Sequence, residues 1–99
     1  MKSVLIYTSP ARGHLFPVLP IAHELAGRNC RVSISCLADE VGRVKSLGFD
    51  ARAIDTHVEA REMDDWRGRN PMQALERAMQ TFADRAGHEI SDLEAAIAA

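Results

Sequence analysis

"SVLIYTSPARGHLFPVLPIAHELAGRNCRVSISCL", Ser3 to Leu37, is the stretch whose reading decides the fold. It opens on an unbroken apolar run, Ser3 to Tyr7, with β-branched and aromatic members. Such continuity predicts a strand covered on both faces, as in a parallel sheet. Val18, Ile21, Ala22 and Leu25 then fall at i, i+3, i+4 and i+7, the stripe of an amphipathic helix. Proline is tolerated only at or before the first helical turn. Pro17 and Pro20 therefore set the predicted helix start near Pro17, and Gly27 or Asn29 supplies a left-handed stop. "RVSISCL" places Val32, Ile34 and Cys36 on one face with small serines between, a second strand. Strand, helix, strand implies a parallel pair joined by a crossover.

The same reading extends outward. Asp39 is the expected N-cap of a short helix marked by Val41, Val44 and Leu47 and closed by Gly48. Phe49 to Ile54 is a weaker third strand. The charged stretch "DTHVEAREMDDWRGR", Asp55 to Arg69, has no convincing period and reads as a loop with at most a helical turn. A loop of that length in a small domain is usually functional or mobile. The last helix is the clearest element. Asn70 caps it, Pro71 takes the first position and Gln73 sits where a capping box wants it. Met72, Leu75, Met79, Phe82, Ala86, Ile90, Leu93 and Ile97 follow at spacings of three or four, a stripe expected to be core. The helix would be about 40 Å long.

These elements predict an α/β fold: a Rossmann-like, three-layer parallel sheet of three strands and three helices, in strand order 3-2-1. A fourth strand would dock on the free edge of strand 1, and none follows the last helix. Residues 1–99 are therefore expected to form a partial domain. Its open edge and partly uncovered stripe would promote self-association or the docking of a partner chain.

The chain has 99 residues, 46% apolar and 26% charged, with a formal net charge of -2. That describes one ordinary globular domain, with no electrostatic reason to expect nucleic acid or acidic lipid as a partner. No apolar run approaches the ~20 residues of a membrane span, and "VLIY" is too brief for a secretory core. The expected compartment is the cytoplasm. Cys30 and Cys36 lie roughly 20 Å apart along an extended strand, far beyond the ~7 Å reach of a disulfide. Without C-x-x-C spacing they form no metal site either, and read as buried thiols in a reducing compartment.

Ligands of open parallel sheets bind at the carboxyl ends of the strands. The strand-1 exit, Thr8 to Phe16, lies there. It lacks both G-x-G-x-x-G and G-x-x-x-x-G-K-[ST], which disfavours a nucleotide cradled on this loop. It offers Gly13, which would let the backbone turn tightly, and His14 near a helix start. That position disfavours the imidazolium and suits a general base. The residues alone leave two roles open for His14: general base, or a turn residue bonded to a neighbouring backbone group.

"ARGHLFPVLPIAHELAGRNCRVSI", Ala11 to Ile34, resembles the opening of inverting, nucleotide-sugar-dependent glycosyltransferases of the two-Rossmann type. It is most similar to bacterial enzymes that glycosylate macrolides and other small aglycones. The resemblance covers the first strand, first loop, first helix and second strand. It implies a hexosyltransferase in which His14 deprotonates an acceptor hydroxyl, with Gly13, Phe16 and Trp66 among the acceptor contacts. The partners implied are a small apolar acceptor and a nucleotide-sugar such as a UDP-sugar, a co-substrate rather than a cofactor. The acid that orients the histidine lies beyond the third helix in that family, and so does the donor-binding domain. The resemblance therefore implies an acceptor-side fragment that is inactive alone. The alternatives are a non-enzymatic small-molecule binding module and one subunit of a split glycosyltransferase. Two lesser departures, Asn29 and Cys30 where the family has Gly-His, touch only a turn.

Among other candidates, His23 reads as a surface histidine and His88 as lying on the polar side of the last helix. His57, Glu59, Glu62, Asp64 and Asp65 read as a solvated charge cluster without metal spacing, so no metal is expected. Trp66 either packs an acceptor or anchors its loop.

Overall fold

The computed structural model describes residues 2–10 and 12–99; Ala11, the first residue of the stretch that runs to Ile34, lies outside them. Three strands, β1 (Lys2–Tyr7), β2 (Cys30–Cys36) and β3 (Asp50–Ala53), form one sheet in the order β1-β2-β3. Both pairings are parallel, with Val4 opposite Val32, Ile6 opposite Ile34, and Ile34 opposite Ala51. This is an α/β fold with the expected strand order. No helix among the described residues is long and apolar enough to cross a membrane.

The β1–β2 connection differs from the single helix expected from Pro17. A helical turn α1 (Arg12–Leu15) leads through a 3-10 turn, Phe16–Val18, into α2 (Leu19–Gly27). The prolines explain the break. Each lacks an N–H, and each sits in the first turn of its segment, where that donor has no helical acceptor. The turn after α2 falls on Asn29, at φ 64°, rather than on Gly27. A second 3-10 turn, Ala38–Glu40, precedes α3 (Val41–Ser46). Asp39 is therefore not the N-cap; that position is taken by Glu40, without a side-chain capping bond. Gly48, at φ 96°, makes the turn into β3 that a left-handed residue must make.

The core lies between β2 and the helices of one face. Leu15, Ala22, Val32, Ile34, Cys36, Val44 and Phe49 form one buried cluster, with Val18, Leu19 and Leu25 packed against it. Ile21, expected in the helical stripe, is exposed, because α2 turns Ala22 rather than Ile21 toward β2. β1 is only half-buried, so its apolar run marks an edge strand rather than one covered on both faces. Neither cysteine is in a disulfide; Cys36 is buried and Cys30 half-buried. Burial, with Glu40 and Asp39 nearby, pushes the Cys36 thiol up from its ordinary value.

The opposite face of the sheet is polar, and there the largest correction arises. Beyond β3, α4 (Thr56–Ala60) and a 3-10 turn, Asp65–Arg67, lead into α5 (Pro71–Ala98). The start of α5 carries the expected Asn70 cap, whose Oδ1 accepts from the Gln73 N–H at 2.9 Å, but Gln73 Oε1 accepts from the Arg69 N–H at 2.8 Å, one residue before the donor of a capping box. Gly68 has no room for a side chain at this joint, since a Cβ would stand 2.5 Å from the Ala74 nitrogen. Yet the residues that α5 buries are Thr81, Arg85 and Asp92. Met72, Leu75, Met79, Phe82, Ile90, Leu93 and Ile97, expected as core, are all exposed, Phe82 at 55% and Ile97 at 69%.

The sheet face explains the rotation. Tyr7, Ser35 and Arg52 occupy one cross-strand row. Asp92 meets that row: Tyr7 donates its hydroxyl to Asp92 Oδ2 at 2.9 Å, and Arg52 stands 3.9 Å from Oδ1. The Asp55 N–H also donates to Oδ2, at 2.8 Å. A buried carboxylate needs such partners, so the polar side of α5 turns inward and its apolar stripe turns away.

Asp92→Ala is expected to lower unfolding free energy by about 2–4 kcal/mol, because it strips two donors of a buried acceptor; chemical denaturation reads this. Burial, then the bond to Asp92, holds the Tyr7 phenol well above its ordinary value of 10.0. A group whose pKa is raised by folding contributes stability that is complete below its unfolded pKa and is lost as pH rises through the folded one. On the alkaline side this contribution should begin to be lost above about pH 10. The chain's one tyrosine should show phenolate absorbance at higher pH in the native protein than in denaturant.

Candidate functional site

A cleft of about 610 Å³ opens at the carboxyl ends of β1 and β2. One wall comes from the strand exits: Ser9, Pro10 and His14 after β1, Leu37 and Asp39 after β2. Thr8 holds this wall, since its N–H and its hydroxyl both donate to the Ser35 carbonyl, at 3.0 and 2.8 Å. The facing wall is Glu59, Glu62 and Met63 from α4 and the segment after it, with Phe82 and Arg85 of α5. Topology alone brings these walls together, because both strand exits and the β3–α5 connection lie at the same end of a parallel sheet.

His14 sits in α1 with its side chain exposed on the lip of the cleft. Among the described residues, none hydrogen-bonds to its ring. Gly13 is exposed and helical, and a Cβ there would meet nothing within 4 Å, so no tight turn requires it. Phe16 and Trp66 stand outside the cleft lining. Phe16 lies under the Arg43 guanidinium, 5.8 Å from the ring centroid. Trp66, 73% exposed, neither packs in the cleft nor anchors its loop, and it carries the Arg67 guanidinium over its ring at 4.9 Å. Of the four residues expected at the site, His14 alone lines the cleft.

Arg85 is the residue that sequence reasoning missed. It is buried, and its Nε donates to the Arg61 carbonyl at 2.7 Å while a terminal nitrogen reaches the same oxygen. Burial pulls the guanidinium below its usual range. Around it, Arg61 pairs with Asp84 at 2.9 Å and Arg77 with Asp64 at 3.1 Å, tying the segment after α4 to α5. A signal for Arg85 existed: Thr81, Arg85, His88 and Asp92 recur at spacings of four, three and four, a polar row with helical period. The cleft as a whole offers one exposed imidazole, three carboxylates, one buried cation and the apolar surfaces of Leu37, Met63 and Phe82. Such a lining sets hydrogen-bonding and charged groups beside apolar surface, a combination common to small-molecule sites.

A second group assembles beside the cleft. The Asp55 carboxylate caps α4, accepting from the His57 N–H at 2.7 Å, and stands 2.9 Å from His57 Nδ1. The His57 and His88 rings stack, centroids 4.6 Å apart and planes 8° from parallel. The bond to the His57 N–H, then that to its ring, holds the Asp55 carboxyl below its ordinary value. The charge cluster expected around His57 is thus divided. Glu59 and Glu62 face the cleft, Asp64 pairs with Arg77, and His57 turns to α5. His23 is exposed, as expected.

No protein-family model matches the chain, and no curated protein matches it in sequence.

Arg85→Ala is expected to cost about 1–3 kcal/mol of stability, since it leaves the Arg61 carbonyl without its donors and opens the cleft floor. Equilibrium unfolding in urea measures it, and Glu62→Ala in the same cleft should stay within about 0.5 kcal/mol of the parent.

Proposed function

We propose that this chain supplies the acceptor-side half of a two-Rossmann, inverting glycosyltransferase, with His14 as the general base. The observation that carries the reading is His14 itself, exposed on the lip of a cleft at the carboxyl ends of parallel strands. A base must meet its substrate in the open face of a cleft, and a histidine that merely filled a turn would spend its ring on neighbouring backbone. The Gly13-His14 motif and the proline-led helix after it supply the resemblance on which the reaction class rests.

In this reading an acceptor lies against Leu37, Met63 and Phe82 with a hydroxyl directed at His14. The imidazole takes the hydroxyl proton as the oxygen attacks the anomeric carbon of a nucleotide-sugar. The bond from that carbon to the nucleotide breaks, the nucleotide leaves, and the configuration inverts. General base catalysis of this kind contributes about 10²–10⁴-fold. In this reading the acid that orients His14 follows a fourth strand and the donor is held by a separate domain, both continuous with this segment or supplied by a partner chain. The exposed stripe of α5 and the open edge of β1 are where that remainder packs.

A second reading is a small-molecule binding module without chemistry. It is favoured by one observation: among the described residues, no carboxylate holds the His14 ring.

The experiment joins this segment to the rest of an acceptor domain, with its fourth strand and the acid after it, and to a donor-binding Rossmann domain, and assays sugar transfer from UDP-sugars to hydroxylated aglycones. The expected outcome is transfer by the joined protein, none by the chain alone, and a loss of about 10²–10⁴-fold in His14→Ala with unchanged circular dichroism. Transfer that survives His14→Ala overturns the assignment. Saturable aglycone binding without transfer, indifferent to His14→Ala, selects the binding module. Sedimentation velocity of the isolated chain should show concentration-dependent association that Phe82→Glu and Ile90→Glu each weaken, since both residues sit on the uncovered stripe.

A further inference from the structure

We propose that Asp55, His57 and His88 form a binding site for a divalent transition-metal ion of the zinc type. One ligand atom from each lies within 4.8 Å of the others. The donor set is two imidazoles and a carboxylate, which favours zinc, cobalt or nickel over magnesium or calcium. Nothing in the glycosyl-transfer reading calls for this site, and the inference stands or falls without it.

Three features place the donors together. Asp55 is fixed as the N-cap of α4, and its backbone N–H is held by buried Asp92. His57 lies two residues on, with its ring beside the Asp55 carboxylate. His88 projects from α5 one turn beyond Arg85, because Asp92 sets the rotation of that helix.

A tetrahedral ion at about 2.0–2.1 Å from each donor requires donors roughly 3.3 Å apart. The widest present spacing, up to 4.8 Å, must contract by up to about 1.5 Å, and the parallel rings must tilt until their nitrogens converge. Both histidines are exposed, so χ rotation achieves this without moving backbone. Three protein ligands leave a fourth position for water. The bound ion would clip the five-residue α4 to α5 beside the cleft wall.

The test uses the full chain with Zn²⁺ in isothermal titration, and Co²⁺ as a spectroscopic probe. One ion per chain is expected, with affinity falling at least tenfold in His88→Ala and in His57→Ala. Asp55→Asn, which keeps a capping side chain, should weaken binding and leave helicity unchanged. His23→Ala, on a separate exposed histidine, should bind as the parent does. Zn²⁺ should raise the melting temperature of the parent and not of His88→Ala, and Co²⁺ should give visible bands without thiolate charge transfer. No saturable binding at millimolar Zn²⁺ would overturn the proposal. So would equal affinity in His88→Ala, or a thiolate band that moves the ion to Cys30.

Discussion

One buried carboxylate sets the arrangement of half the molecule. Asp92 takes the Tyr7 hydroxyl from the edge strand and the Asp55 N–H from the end of the β3 connection, with Arg52 of the central row close by. A helix of 28 residues that must place this group on the sheet has only one rotation open to it. That rotation sends Arg85 to the floor of the cleft and brings His88 over His57. It also leaves the apolar stripe facing outward. In most helices apolar area decides the rotation and polar groups follow. Here the sheet face beneath α5 carries serines, charges and one phenol, with Leu5 its large aliphatic residue, so polar satisfaction decides.

The cleft is made by the other face. Apolar packing of Leu15, Ala22 and Val44 on β2 brings the strand exits and α1 to a common end. The two clusters of polar chemistry, the cleft and the Asp55–His57–His88 group, are neighbours because both use the segment after β3. Its short helix, α4, divides their side chains. Glu59 goes to the cleft, and His57 goes to α5.

Much of the fold was legible because its signals are local. The parallel order, the left-handed turns at Asn29 and Gly48 and the Asn70 cap all follow from short-range backbone chemistry. What was not legible depends on which surfaces meet. The stripe from Met72 to Ile97 has a faultless helical period, and period says nothing of what lies opposite. Phe16 and Trp66 are aromatic residues near a site in sequence but outside it in space. Arg85 and His88 stand in the cleft and the histidine pair through the rotation of α5, which the one-dimensional pattern of apolar residues misassigned. His14 was legible since the end of a parallel strand is a position that sequence order alone fixes.

The spacing between Arg85 and Asp92 has a consequence for how this fold tolerates length change. Each inserted or deleted residue turns the downstream helix by about 100°. A single-residue indel between these two positions would leave one anchor seated and swing the other to the far side. It would carry Leu93 and Ile97 around with it, exchanging the surface offered to solvent for the one offered to the sheet. The seven-residue interval therefore acts as a fixed gauge, whereas the helix beyond Asp92 can change length without moving either anchor.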